Sequence, residues 1–215
     1  MNKLLMYISD GLIIASFLLY FLLILINRNK KVTNSNGFNV TKDILSEYDS
    51  INIVENNSYI TVYNIKRRVI RIASKCYYGN SLSDITIPLI EAGISGIDNN
   101  KNKVINIFRN VIPNLKCLYL LAILAVCVNG ITYNVSDAKT SLLFLSLFSA
   151  VSYFIINIKT DALIWIDKHI NKIKDIKKED RNKIINLINN YIIFDKLIFI
   201  GELIMIIRFV SIIIK

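Results

Sequence analysis

Histidine is almost missing from this chain. His169 is the only one in 215 residues, so no multi-histidine metal site can be assembled within one copy. Cysteine is scarce as well. Cys76 stands alone, Cys117 and Cys127 bracket an apolar block, and no pair has metal-ligand spacing. An odd count of three argues against a disulfide framework. No Gly-x-Ser-x-Gly turn occurs, and with a single histidine a serine triad has no support. There is neither an internal repeat nor a pair of Gly/Pro-broken apolar blocks, which weakens a transporter reading.

Apolar residues are what the chain has in excess. They make up 53% of it, mean hydropathy is +0.46, and the excess lies in blocks rather than being spread evenly. Net charge is +10 with a pI near 9.5. The cations cluster beside the apolar blocks, where the positive-inside rule accounts for them and nucleic-acid binding is not needed. Asn, Ile and Lys recur throughout, so the sequons at Asn39, Asn56 and Asn134 are expected by chance.

The first block, 4–26, is long enough to cross the ~30 Å hydrocarbon core. It ends on Asn27-Arg28-Asn29-Lys30-Lys31, a stop-transfer flank with no small-x-small cleavage site, so it reads as an anchor. Residues 32–112 are polar and mixed. A helix is predicted at 41–48, strands at 51–55, 59–63 and 68–72, and a second helix opened by Ser81-Leu82-Ser83-Asp84, with Pro88 inside or near its first turn. Further spans are predicted at 115–131, 141–158 and 194–214, with basic interfacial helices over 159–190. Within that basic stretch, a helix over 161–174 carrying Trp165 and a solvated His169 would lie along the bilayer surface, or else pack over the 81–97 helix. The fold class expected is an α-helical membrane protein with about four transmembrane helices and a small α+β cytoplasmic domain. Charge asymmetry sets the N-terminus outside, with 32–112 and the basic stretch in the cytoplasm of a multi-pass cell-membrane protein. In the last span Asp195 and Glu202 share a face. Glu202 could line a bundle interior, while Arg208, near the C-terminus, could snorkel as an anchor.

One short run bears on chemistry: Ile90-Glu91-Ala92-Gly93-Ile94. In a His-Glu-x-x-His helix the two histidines, four apart, share one face and hold zinc, and the glutamate activates the metal-bound water. Here both ligand positions are isoleucine. Five residues alone fit an ordinary buried helix with one glutamate better than a peptidase helix. The flanks add Tyr63-Asn64-Ile65, Ile70-Arg71-Ile72-Ala73 and Tyr77-Tyr78-Gly79-Asn80-Ser81 upstream, and Asn157-Ile158-Lys159-Thr160-Asp161-Ala162 after the third predicted span.

In order, spacing and hydropathy these runs resemble the YugP-like family of bacterial membrane zinc metallopeptidases. That family has an N-terminal span, a short zincin-like domain and three further spans. The resemblance covers the polar domain by motif and the spans by pattern. It implies that Glu91 is a relic general base and that Ile90, Ile94 and Lys159 occupy former metal-ligand positions. Gly93 and Asp161 would be retained site support, and zinc, the family cofactor, would be lost with no other cofactor in its place. Lys159 could supply the charge compensation of the absent metal by pairing with Glu91.

Three functions follow as expectations. The first is a catalytically inactive homologue acting as a membrane binding or regulatory subunit, paired with an active paralogue or another membrane protein. The second is an active membrane hydrolase with a non-standard site, for which Glu91 with Asp161 is the only carboxylate pair in view. The third is a small transporter or channel component using Asp10, Asp195 and Glu202.

Overall fold

A computed structural model describes residues 2–32, 35–48, 50–98 and 135–214. The predicted span at 115–131 lies outside the described residues. The elements in chain order are α1 (Asn2–Arg28), α2 (Gly37–Ile44), β1 (Asn52–Asn56), β2 (Val62–Asn64), β3 (Val69–Ala73), α3 (Ser74–Tyr78), α4 (Leu82–Asp98), α5 (Val135–His169), a 3₁₀ turn at Ile170–Lys172, and α6 (Lys178–Ile213). The chain is thus mostly helical with one small sheet. Two stretches, Leu4–Arg28 and Lys139–Lys172, are long and apolar enough to cross a membrane by length and composition. The run 194–214 falls in α6, where Asp195, Lys196, Glu202 and Arg208 set it apart from those two.

Two compact units emerge. One comprises 1–21, 114–156 and 193–215. Its core is Ile13 from α1, Leu145 from α5, and Ile198, Met205, Phe209 and Ile212 from α6. Polar side chains on its helices fold back onto their own backbones. Ser9 Oγ donates to Met6 O (2.9 Å) and Ser16 Oγ to Leu12 O (2.6 Å), which satisfies each hydroxyl without a partner helix. Gly201 sits where a Cβ would come within 2.7 Å of Ile13, so its lack of a side chain permits the close approach of α6 to α1.

The other unit comprises 22–113 and 157–192. Its sheet has the order β1-β3-β2, with β1 parallel to β3 (Ile53 opposite Ile70) and β2 antiparallel to it (Tyr63 opposite Ile70). Alternate β3 side chains, Ile70 and Ile72, are fully buried with Val40 and Ile44 of α2 and Ile85 and Leu89 of α4. Asn36 caps α2 by accepting the Asn39 N–H at 2.9 Å, which starts that helix four residues before the predicted 41–48. The second strand in the chain, β2, is shorter than the expected 59–63. Tyr59 is wholly exposed, and the Asn56 and Ser58 side chains bond around Ile60 O, so this stretch is a side-chain-stabilised turn.

Two expectations about the basic stretch are corrected. No separate helix begins at 161, because α5 runs unbroken from Val135 to His169 and ends in the 3₁₀ turn. Nothing in residues 158–162 breaks a helix, as neither Pro nor Gly occurs there. His169 is not simply solvated. It is half-buried, stacked on Trp165 with ring centroids 4.2 Å apart, and its Nδ1 donates to Trp165 O at 2.8 Å.

Candidate functional site

The helix expected to carry the site, α4, starts one residue after Ser81. The Ser81 hydroxyl accepts the Asp84 N–H (3.2 Å) and donates to the Asp84 carboxylate (2.6 Å), so the capping residues do close on each other. Leu82 N donates to Lys30 O at 2.8 Å, which supplies another of the acceptors that a helix N-terminus needs. Pro88 lies inside the helix, not in its first turn. It cannot donate to the Asp84 carbonyl one turn back. Gly37 at the start of α2 lies against that carbonyl, where a Cβ would come within 2.9 Å of Asp84 O.

Along α4 the motif residues divide cleanly. Ile90 is buried, Ile94 is half-buried, and Glu91 is half-buried on a different face. One Glu91 carboxylate oxygen, Oε2, accepts the backbone N–H of Tyr63 in β2 at 3.0 Å. Tyr63 is paired with Ile70 of β3, and the N–H it gives to Glu91 is one the β2–β3 ladder does not use. Glu91 therefore finishes the hydrogen bonding of an edge strand, a position in which a carboxylate gains a charge-assisted bond. Among the described residues no ion pair joins Glu91 to Lys159. The expected compensation of that carboxylate by a lysine is replaced by a backbone amide.

The end of α5 lies on α4. A Cβ on Gly93 would come within 2.8 Å of Ile166 Cδ1 and 2.9 Å of Ala162 O, and one on Gly96 would run into the Trp165 ring. The two glycines thus form a flat strip that receives Ala162, Trp165 and Ile166. Trp165 in turn meets the Tyr48 ring at 5.9 Å. This is the second arrangement weighed for the basic stretch, in which it packs over the α4 helix. Gly93 is in close contact with Ala162 and Ile166. Asp161 is exposed, and Lys159 is half-buried. Glu91 and Asp161 do not form a buried carboxylate pair.

These residues do not fit zinc. Isoleucine offers no lone pair, a lysine ammonium repels a dication, and the one carboxylate of the set is engaged by an amide. Among the described residues no group of three His, Cys, Asp or Glu side chains could hold a metal ion. Cys76, buried beneath Gly37, has its thiol pushed up to about 11, first by burial and then by the Asp84 carboxylate, with the Thr61 hydrogen bond acting the other way. Burial and the raised value make it a weak nucleophile at neutral pH.

Sequence reasoning missed two polar links in this unit. Lys172 Nζ meets Glu47 at 2.6 Å, tying the 3₁₀ turn to the segment after α2 and holding the Glu47 carboxyl below its usual value. The Tyr78 hydroxyl donates to Glu55 at 2.8 Å, and that hydrogen bond raises the phenol. Neither pair is close in sequence, so no local signal could have found them.

The two charges of the run 194–214 singled out in sequence, Glu202 and Arg208, lie in the apolar unit. Glu202 is wholly buried, and its Oε1 accepts from Ser152 of α5 at 3.0 Å. Arg208 is also buried, with its guanidinium carbon 5.4 Å from the Phe209 ring centroid. It faces protein and does not snorkel. The placement six residues apart that puts Glu202 and Arg208 on different faces of α6 does not stop both being covered.

Comparison with family models, with curated proteins and with solved structures gives no match for this chain.

Proposed function

We propose that this chain is a catalytically inactive, membrane-embedded counterpart of the YugP-like zinc metallopeptidases, acting as a binding or regulatory subunit. The observation that carries the reading is the Glu91–Tyr63 bond. A general base must keep its carboxylate for a water and a substrate. Here the carboxylate closes a strand edge, with isoleucine at 90 and 94 and lysine at 159. The erased donors and the reassigned base agree with each other.

In this reading the spans are 4–26, 115–131, 141–158 and 194–214. The N-terminus is outside, and the zincin-like 32–112 domain and the basic stretch are cytoplasmic. The exposed hydrocarbon of the apolar unit, together with its buried polar side chains, supports embedding. Leu18, Phe21 and Leu147 are exposed while Ser16, Ser152 and Glu202 are buried, the reverse of a water-soluble surface.

The test is to rebuild the site. The purified wild-type protein should hold no zinc after loading and washing. The triple variant Ile90→His, Ile94→His, Lys159→Glu should take up about one zinc ion per chain if the frame resembles the peptidase helix. A folded triple variant that stays zinc-free removes the resemblance, and a wild-type protein that keeps zinc removes the inactive reading.

A further inference from the structure

A cleft of about 680 Å³ opens within the polar unit, where α1 ends and the first half of α6 passes. Leu23 and Ile26 of α1 and Leu187 of α6 form an apolar wall. Lys30, Lys31 and Lys183 bring three cations to its rim, against the single carboxylate of Asp180. That carboxylate is already engaged by Lys183 at 2.8 Å. Lys30 and Lys31, both exposed, are left as the cations the cleft does not neutralise. Asn186 and Asn190, one turn apart on α6, add exposed amide donors to the same lining.

The two lysines are held in place by their backbone. Leu82 N donates to Lys30 O and Val32 N to Asn80 O (2.8 and 3.2 Å), and Lys31 forms an antiparallel bridge with Ser81. Immediately before them Leu22, Leu25 and Ile26 expose large apolar side chains to the surroundings. A free anion has no use for an apolar wall, and an acidic peptide has no reason to sit at the end of an apolar helix. A ligand with a phosphate at one end and hydrocarbon at the other fits both halves.

We infer that this cleft is a binding site for the headgroup of an anionic phospholipid, with the phosphate against Lys30 and Lys31 and the acyl chains leaving along Leu23 and Ile26 of α1. The inference rests on α1 crossing the membrane, as proposed above. It adds a defined lipid class and a defined site. The lipid would fix the level at which α1 leaves the bilayer and so the position of the following strand-and-helix segment.

The full chain, purified in a neutral detergent, is offered phosphatidylglycerol and phosphatidylcholine at equal concentration, and the retained lipid is read by native mass spectrometry. Phosphatidylglycerol should be retained in preference. The double variant Lys30→Gln, Lys31→Gln should weaken its apparent affinity roughly thirtyfold, from two lysines near the phosphate. The variant Lys66→Gln, Arg67→Gln removes two exposed cations outside the cleft and should leave retention unchanged. Equal retention of phosphatidylcholine overturns the site, as does equal loss in the two double variants. Displacement of the lipid by millimolar inorganic phosphate would make it a site for the free ion, and also overturns the inference. The wild-type lipid comparison stands even if a variant misfolds. Alkaline carbonate extraction separates the two readings. A chain released to the supernatant ends the membrane reading and this one with it, whereas a chain that stays with the membrane but shows no lipid preference ends only the headgroup site.

Discussion

The two units place their glutamates differently. In the apolar unit, charge is hidden and hydrocarbon is displayed: Glu202 is 0% exposed and Arg208 1%, while Leu147 is 60% exposed. In the polar unit Val40, Ile70 and Leu89 are fully buried together with small polar side chains such as Thr41 and Thr86, and the glutamate of its motif, Glu91, is only half-buried. The same residue type, glutamate, therefore carries different weight in each. Glu202 sits where water cannot replace a lost partner, and Glu91 sits where it partly can. The lesson is that an acidic residue should be weighed by what replaces its partner when the partner is removed.

That contrast can be broken by mutation. Glu202→Ala removes the acceptor of the buried Ser152 hydroxyl and leaves a void at a wholly covered position, and should cost about 3 kcal/mol. Thermal unfolding in detergent, followed by circular dichroism, measures it. Gly96→Val should cost about 2 kcal/mol, because the added side chain meets the Trp165 ring, whose fluorescence should shift as it is displaced. Glu91→Ala should cost about 1.5 kcal/mol, the value of a charge-assisted bond to a half-buried amide. If Glu91→Ala proves more damaging than Glu202→Ala, the ordering of the two units is wrong.

The smallest effect concerns pH. The Cys76 thiol is raised in the folded protein to about 11 from an ordinary 9.0. A raised folded value means the unfolded chain loses this proton first. The stabilisation it contributes is whole below pH 9 and is lost as pH rises through about 11. Cys76→Ala should remove that part of the alkaline decline, so unfolding midpoints of variant and parent should converge between those two values. A maleimide should also label the folded protein slowly at neutral pH, in contrast to the unfolded chain.

Much of the frame was legible from residues alone. The run 4–26 lies within α1, and 141–158 lies within α5, because each is a long apolar stretch with no proline to end the helix. The three strands emerged near their expected places, since β-branched runs such as Val69-Ile70 alternate correctly for one buried face. The Ser81–Asp84 cap was readable at a spacing of three. What failed was boundaries and partners. The predicted division at 159–161 ignored that Lys159, Thr160 and Asp161 are tolerated on an exposed or half-exposed side of a continuing helix. The Lys159–Glu91 pair was expected as compensation for the charge of an absent metal. A backbone amide 28 residues away in sequence was the better-placed donor.

By itself, the sequence determined the segregation of apolar and polar stretches, the helix that carries Glu91, and the lack of metal donors at 90, 94 and 159. These follow from composition and short-range spacing, which need no knowledge of neighbours. Only the tertiary structure decided that Glu91 closes the edge of β2, that Gly93 and Gly96 receive Ala162 and Trp165, and that Lys30 and Lys31 share a cleft with α6. Each joins segments distant along the chain, and a contact between distant segments is set by how whole elements pack and not by the residues on either side of it.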